Sequence, residues 1–271
     1  MNKILIIGKK SFIGSNLFNF LKKKFFIKNV SFEYVIKKKI NYFSEFSHII
    51  NTSIHTKYIK EKYDKKYDLD LKFIKKFKTI KFKYIFLNSR KIYFQKENIK
   101  ETDRLLPKDN YAKNKLITEN FLKAKLDDKL ISLRTSNIIG NRVFESSRKS
   151  HDLFFDNYLK LKKRNRKMKI KDDFKDFLSI QQFSFVLEKI INSNVNGIFN
   201  VSLSQKIYIS ELLKWLDIKF FQNKLVFVKS DRNSFTLSNK KLTKALNIKL
   251  YKKDLKKFCK KVIINKHLSL R

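Results

Sequence analysis

Apolar residues up to about residue 140 fall in short runs, which alternate with stretches whose apolar positions have helical spacing. The resulting order is strand, helix, strand, strand, helix, strand, helix, strand. This order is typical of an α/β fold in which crossover helices connect parallel strands. The predicted strands are residues 3–7, 30–36, 48–51, 84–87, 130–133 and 196–201, and the predicted helices are residues 13–26, 69–77, 111–126, 209–216, 240–246 and 252–264.

The pattern becomes less regular after about residue 141. The chain has 4 glycines and 1 proline, and no Pro-, Gly- or Ser-rich linker separates the two parts. We therefore predict two intertwined lobes, a larger one of residues 1–140 and a smaller one of residues 141–271.

The formal net charge of +40 bears on the class of ligand. Lysine is spread over the whole chain beside abundant Asn, Ile and Phe, the composition expected of an AT-rich coding sequence. We favour solvated lysines over a dedicated nucleic-acid surface, and the positive field favours anionic ligands. An alternative of a different class is a catalytically inactive protein that binds RNA or acidic partners, with aromatic residues among lysines at residues 72–84.

The cysteine and histidine content and the lengths of the apolar runs indicate the cellular compartment and bear on metal binding. Cys259 is the sole cysteine, which excludes an intramolecular disulfide framework and fits a reducing compartment. The 4 histidines lack metal-ligand spacing, so we predict no metal site. No stretch approaches the roughly 20 apolar residues of a membrane span. We predict a cytoplasmic protein.

Two glycines flank the junction between the first strand and its helix. Gly8 and Gly14 enclose Lys-Lys-Ser11-Phe12-Ile13, the context of a dinucleotide-binding loop. The helix N-terminus supplies unpaired N–H groups for a pyrophosphate. Ser11 stands where a middle glycine is usual, and its hydroxyl could donate a hydrogen bond to a phosphate oxygen. The alternative is an ordinary strand-to-helix turn without a ligand.

A tyrosine and a lysine four residues apart form the candidate acid–base group. Tyr111 and Lys115 lie on one face of a predicted helix, where an ammonium lowers the pKa of a phenol. Ser89 ends the preceding strand and can hydrogen bond to the substrate oxygen. The alternative is a surface helix pair. Tyr58 and Lys62 have the same spacing but no matching serine, so they serve as an internal control.

Seven segments carry a resemblance to a known family: ILIIGKKSFIGSNL, HIINTSIHT, LNSRKIY, ETDRLLPKDNYAKNK, LRTSNIIG, KDFLSIQQFS and NGIFNVS. In this order they resemble extended short-chain dehydrogenase/reductases of the NAD-dependent epimerase/dehydratase family. The resemblance implies a Rossmann-type doubly wound parallel sheet. It also implies that the smaller, C-terminal lobe closes over a nucleotide-linked sugar.

The resemblance also implies roles for particular residues. Tyr111 would be the acid or base in a hydride transfer between a nicotinamide and a sugar carbon. Lys115 would hold the nicotinamide ribose, and Ser89 would orient the reacting oxygen. Asn51 and Thr52 lie in the run that lines the cofactor in this family, whereas Asn137 would contact the substrate. A homodimer through the helices around Tyr111 is a further implication.

Choices within the family rest on a few positions. Dehydratases carry an Asp-Glu pair after the catalytic Ser/Thr, and Arg90 and Lys91 stand there in this chain, which argues against dehydration. We favour a 4-keto-sugar reductase, with a nucleotide-sugar epimerase as the alternative. Lys37, Lys38 and Lys39 follow the predicted second strand without a carboxylate, which favours NADP over NAD.

Overall fold

Six parallel strands form the central sheet in the computed structural model, which describes residues 2–144, 154–164, 167–217, 221–222, 224–230 and 234–268. The sheet has the order β10-β5-β4-β3-β1-β2. Its members are β1 (Lys3–Ile7), β2 (Phe26–Val30), β3 (His48–Asn51), β4 (Lys83–Ser89), β5 (Leu130–Thr135) and β10 (Gly197–Val201). Three two-stranded pairs lie outside it: β6 (Asn137–Ile139) with β9 (Phe177–Ser179), β7 (Met168–Asp172) with β12 (Leu225–Lys229), and β8 (Phe174–Lys175) with β11 (Ile207–Tyr208).

Helices cover both faces of the sheet, as expected for the doubly wound α/β fold. They are α1 (Phe12–Leu21), α2 (Phe32–Ile36), α3 (Thr56–Lys60), α4 (Leu69–Ile74), α5 (Asn110–Leu126), α6 (Phe154–Lys163), α7 (Ile180–Ile191), α8 (Ile209–Leu216), α9 (Lys240–Leu246) and α10 (Lys252–Leu268). Successive side chains of β1 lie on opposite faces of the sheet, so they belong to two separate halves of the core. Ile4 and Ile6 pack with α1 and α7, whereas Leu5 and Ile7 pack with α2, α4 and α5.

The aromatic residues among lysines at residues 72–84 belong to this second half of the core. Phe73 and Tyr84 are fully buried, and their rings stack with centroids 5.9 Å apart. Phe77 and Phe82 are buried beside them. These rings are therefore packing residues and not an exposed platform for stacking nucleic-acid bases.

The prediction of the second strand at residues 30–36 is wrong. The strand β2 ends at Val30, and residues Phe32–Ile36 form α2. Ser31 caps this helix by accepting a hydrogen bond from the backbone N–H of Tyr34 at 3.3 Å. Phe32 and Val35, three residues apart, are the buried side chains. Helical spacing behind a good capping residue therefore prevailed over the local strand preference.

The remaining predicted elements are present, but the helix predicted over residues 13–26 ends at Leu21, and Phe26 already begins β2. The bounds of β3, α8 and α9 agree with the prediction, and β10 joins the central sheet beside β5. The three two-stranded pairs were not predicted because each is formed by segments distant in sequence, with strands of 2–5 residues. Their stability depends on contacts that local periodicity does not encode.

The strand order creates a crevice at one edge of the sheet. From β1 the chain passes to β2 on one side, and then returns to β3 on the other side of β1. In parallel α/β sheets, ligands bind outside the carboxyl ends of the strands where the order reverses in this way. The loops that follow β1 and β3 therefore line the expected site.

A buried carboxylate fixes α5 against β4 and β5. Glu119 is 1% exposed, and its Oε2 accepts a hydrogen bond from Arg134 Nη2 at 2.5 Å. Its Oε1 accepts from Asn88 Nδ2 at 2.8 Å and from Ser132 Oγ at 2.5 Å. Tyr111 lies eight residues before Glu119 on the same helix. The ion pair therefore sets the position of that tyrosine relative to the strands.

Within the described ranges, no helix is long and apolar enough to cross a membrane. The same ranges contain no cluster of three or more His, Cys, Asp or Glu side chains that could hold a metal ion.

Replacing Glu119 by Gln should destabilise the fold strongly, because it leaves the buried Arg134 without a counter-ion. The expected loss in the free energy of unfolding is about 3–5 kcal/mol, measured by urea denaturation. Lys123→Gln, at an exposed position of the same helix, is the matched control and should change stability by at most about 0.5 kcal/mol. Similar losses in the two variants would contradict the account of Glu119.

Candidate functional site

The turn from β1 into α1 requires glycine at two positions. Gly8 has a φ of +119°, a backbone conformation that side-chain-bearing residues rarely adopt, and its N–H donates to the Val30 carbonyl at 2.7 Å. A Cβ on Gly14 would lie 2.5 Å from the carbonyl oxygen of Gly8. The two glycines thus let the first turn of α1 fold back against the end of β1.

Two hydroxyls close this turn from within. Thr52 Oγ1 donates to the Ile7 carbonyl at 2.8 Å, and Ser11 Oγ lies 2.7 Å from Thr52 Oγ1. Because Thr52 has one hydroxyl proton, Ser11 must be the donor in the hydrogen bond between them. Ser11 Oγ also accepts from the N–H of Gly14 at 2.9 Å as the N-cap of α1.

The expected hydrogen bond from the Ser11 hydroxyl to a phosphate stays a prediction. In this structure the Ser11 proton is directed to Thr52, and its oxygen caps the helix. The N–H groups of Phe12 and Ile13, in the first turn of α1, have no acceptor within the helix. That turn contains no acidic residue, so its partial positive charge is not neutralised. This N-terminus lies at the crevice and can receive an anionic group.

Asn51, at the end of β3, is committed to contacts inside the protein. Its Nδ2 donates to Asp70 Oδ1 at 2.9 Å, and its Oδ1 accepts from the N–H of Ser53 at 3.0 Å. The Tyr84 hydroxyl donates to the same Asp70 oxygen at 2.6 Å. Burial raises the pKa of Asp70. Asn51 thus connects the strand edge to a buried acid of α4.

The structure brings Ser89 and Tyr111 together. Ser89 ends β4, and Tyr111 is in the first turn of α5, where Asp109 is the N-cap and accepts from the N–H of Ala112 at 2.8 Å. Burial, with the nearby carboxylates of Asp109 and Asp70, raises the pKa of Tyr111 to about 12. A hydrogen bond with the Ser89 hydroxyl partly opposes this rise. Tyr111 is therefore protonated at neutral pH.

The expectation that Lys115 lowers the pKa of Tyr111 is not met in this structure. Lys115 is 6% exposed, and its Nζ lies 4.5 Å from the ring centroid of Phe86 and 5.7 Å from that of Tyr58. Burial lowers the pKa of Lys115, and the carboxylates of Asp70 and Asp68 oppose that shift. The two acids therefore offset only part of the cost of burying this ammonium.

Asp68 and Asp70 were not identified from the sequence. Both are buried, and Asp68 is also the N-cap of α4, accepting from the N–H of Leu71 at 2.9 Å. The available signal in the sequence was a pair of acids, separated by one residue, at the start of a short apolar segment. Such acids often cap a helix, so the signal predicts a helix start. Nothing in that signal indicates that they face Lys115.

The internal control behaves as a structural residue. Tyr58 is 4% exposed, and its hydroxyl lies 2.6 Å from Thr118 Oγ1. Lys62 is exposed. The same tyrosine–lysine spacing thus joins a core tyrosine to a solvated lysine here, which shows that the spacing alone does not define a site.

Two further predicted site residues, Lys37 and Asn137, lie in different parts of the fold. Lys37 is exposed after α2, and the residue that follows β2 is Ser31, so the structural reason for choosing NADP from Lys37 is wrong. Asn137 begins β6, two residues beyond the end of β5, and its N–H donates to the Asp176 carbonyl at 3.3 Å. Asn137 is therefore at the carboxyl edge of the sheet.

A cavity of about 210 Å³ opens beside Ser89 and Tyr111. It was not predicted, although Arg90 and Lys91 were noted for another reason. Its lining includes Arg90, Lys91, Tyr93, Lys108, Asp109 and Phe235. Phe235 comes from the C-terminal half, so both parts of the chain build this cavity.

Solved structures with the same architecture are nucleotide-sugar enzymes. A UDP-N-acetylglucosamine 4-epimerase from Methanobrevibacter ruminantium, complexed with UDP-N-acetylmuramic acid, has a TM-score of 0.77 at 16% identity, covering 100% of this chain and 99% of its own. A UDP-glucose 4-epimerase from Thermotoga maritima has a TM-score of 0.76 at 15% identity, covering 99% and 100%. A dTDP-4-dehydrorhamnose reductase from Bacillus anthracis, complexed with NADP, has a TM-score of 0.75 at 14% identity. The match covers 98% of this chain and 100% of the reductase.

The fold is the Rossmann-type fold of these enzymes. The likeness expected from the seven sequence segments is thus confirmed at the level of the fold. No protein-family model and no curated protein matches the chain in sequence.

The pKa of Tyr111 provides a direct test of the site's electrostatics. In ligand-free protein with 13Cζ-labelled tyrosine, the Tyr111 resonance should remain that of the phenol at pH 10, where a free tyrosine is about half ionised. Ser89→Ala should raise this pKa further, because it removes the hydrogen bond that lowers it. Tyr111→Phe assigns the resonance. Half ionisation of Tyr111 at or below pH 10 would contradict the assignment.

Proposed function

We propose that this chain is an NAD(P)-dependent enzyme of the extended short-chain dehydrogenase/reductase type, acting on a nucleotide-linked sugar as a 4-keto-sugar reductase. The observation that carries this proposal is the placement of Ser89, at the end of β4, beside Tyr111 in the first turn of α5, at the same edge of the sheet as the α1 N-terminus. The first turn of α1 would hold the dinucleotide pyrophosphate, and the pair would face the reacting sugar carbon.

The residues of the β1–α1 turn fit a dinucleotide. Gly8 and Gly14 bring the backbone close to the crevice, and Phe12 and Ile13 offer N–H groups that no helical carbonyl accepts. The bound cofactor would supply the hydride. Lys115, buried on α5 against the Phe86 ring of β4, is the residue that we assign to the nicotinamide ribose.

Tyr111 has the protonation state that reduction of a carbonyl needs. Hydride addition to a sugar carbonyl places negative charge on its oxygen, which requires a proton donor. With its pKa raised by burial, Tyr111 holds that proton at neutral pH. Ser89 would orient the oxygen by a hydrogen bond. An epimerase would use the same tyrosine first as a base and then as an acid, so the two activities differ in the fate of the cofactor.

Arg90 and Lys91 argue against water elimination. Dehydration needs a carboxylic acid pair beside the reacting carbon, and these two positions carry positive charge instead. Asp109 is the carboxylate nearest to them, and it already accepts hydrogen bonds from Lys91 Nζ at 2.8 Å and from the N–H of Ala112.

For the cofactor we propose NADP in preference to NAD, for a reason that differs from the lysines at residues 37–39. An adenosine ribose is normally recognised by a carboxylate at the end of the second strand. Here that position is Ser31. The N–H of the basic residue Lys9 donates to the Val30 carbonyl at 3.1 Å, so its backbone adjoins the same strand end.

Turnover should depend on the hydroxyl group of Tyr111 and not on its ring. With NADPH and dTDP-4-dehydrorhamnose as probes, Tyr111→Phe should lower kcat by about 100- to 10,000-fold. The dissociation constant for NADPH should stay the same. Oxidation of NADPH followed by absorbance, with binding measured by calorimetry, separates the two quantities. Tyr251→Phe, at an exposed position, is the control and should retain activity.

The same assay separates a reductase from an epimerase. A reductase consumes NADPH in proportion to the sugar converted. If UDP-glucose is epimerised instead, with no net change in the cofactor, the reductase proposal is wrong and the epimerase alternative stands. Full activity of Tyr111→Phe would refute the assignment of the acid.

A further inference from the structure

Arg90 has unusual surroundings for an arginine. Its guanidinium stacks 3.7 Å above the ring centroid of Phe235, and its Nε is buried without a hydrogen-bond partner among the residues that the structure describes. Burial lowers the pKa of Arg90 to about 10, and Asp109 only partly opposes this shift. Arg90 is partly buried, so its charge has lost part of its contact with water at a cost in stability.

A second cation faces the same place. Lys175, in β8, is partly buried, and its pKa is lowered by burial and then by the positive charge of Arg90, with Asp173 opposing. Asp173 Oδ1 is itself buried without a partner among the described residues. Lys175 does not line the cavity, but its charge adds to the positive field around Arg90, which favours an anion beside that guanidinium.

The nearby carboxylate does not fill this role. Asp109 forms an ion pair with Lys91 at 2.8 Å and caps α5 through the N–H of Ala112. Its charge is thereby shared with two other donors. The guanidinium of Arg90 therefore forms no ion pair among the residues that the structure describes.

The position of the cavity connects it to the reacting atoms. Arg90 directly follows Ser89, and Asp109 precedes Tyr111 by two residues. A ligand group held by Arg90 would therefore belong to the same molecule whose oxygen contacts Ser89 and Tyr111. The apolar rings of Tyr93 and Phe235 complete the walls.

We propose that Arg90, assisted by Lys175, is a specificity-determining residue that binds an oxyanion of the substrate in this cavity. The planar guanidinium matches the two oxygens of a carboxylate or a phosphate. The oxyanion is either a carboxylate on the sugar or a phosphate of its nucleoside diphosphate. This inference rests on the proposed function for its substrate class, but the cavity and its charge are independent of the cofactor.

Calorimetric titrations with three probes test the proposal. UDP-glucuronate, UDP-glucose and UDP are titrated into wild type, Arg90→Gln and Lys113→Gln at moderate salt. Lys113 is exposed on α5 away from the cavity, so it controls for the loss of one positive charge. Arg90→Gln should weaken at least one probe by about tenfold or more relative to Lys113→Gln. Arg90→Lys should recover only part of the affinity, because it lacks the two-pronged geometry.

The pattern of losses identifies the oxyanion. A loss confined to UDP-glucuronate indicates a sugar carboxylate, and a similar loss for all three probes indicates the diphosphate. Arg90→Gln should also melt at the same temperature as wild type or higher without ligand, which shows that weak binding is not a folding defect. Equal affinities in Arg90→Gln and Lys113→Gln, or no binding of any probe by wild type, would overturn the proposal. Failure of NADPH to bind would instead count against the proposed function.

Discussion

The buried ion pair between Glu119 and Arg134 is the constraint on which the site depends. A carboxylate in the core must be paired, and the hydrogen-bond donors available to Glu119 come from Asn88 on β4 and from Ser132 and Arg134 on β5. These contacts set how far α5 is turned and shifted relative to the sheet. Because Ser89 directly follows Asn88 and Tyr111 shares the helix with Glu119, the same contacts align Ser89 with Tyr111.

Tyr111, Lys115 and Arg90 differ in the charges that surround them in the site. Burial and the nearby carboxylates raise the pKa of Tyr111, which keeps its proton in place at neutral pH. Asp70 and Asp68 offset part of the cost of burying the Lys115 ammonium. Arg90 is the exception, because its charge faces a cavity. The ligand-free site thus combines a proton donor with an uncompensated positive charge.

Much of the fold could be predicted from the sequence, because β1, β3, β4, β5 and α5 each have a local pattern that a single segment contains. The second strand was misplaced because residues 30–36 satisfy both strand and helix patterns, and the capping contact of Ser31 decides between them. The pairing of Ser89 with Tyr111 was predictable from spacing and family resemblance. The acids opposite Lys115 and the Arg90 cavity were not, since they depend on packing between distant segments.

The roles found for Ser11 and Thr52 illustrate the same limit. Each hydroxyl could be read as a ligand donor when it is considered alone. Only their mutual hydrogen bond, together with that to Ile7, shows that the Ser11 proton is used inside the turn. The helix N-terminus itself is the remaining candidate for an anion-binding element.

The central claim is that the β1–α1 turn of this chain binds a dinucleotide beside the Ser89–Tyr111 pair. Calorimetric titration of the wild-type protein with NADPH, NADH and AMP at moderate salt tests it most directly. AMP controls for general anion attraction to a chain of net charge +40. We expect one dinucleotide per chain, bound at least about tenfold more tightly than AMP, with the melting temperature rising as binding saturates. Dinucleotides that bind no more tightly than AMP would contradict the account.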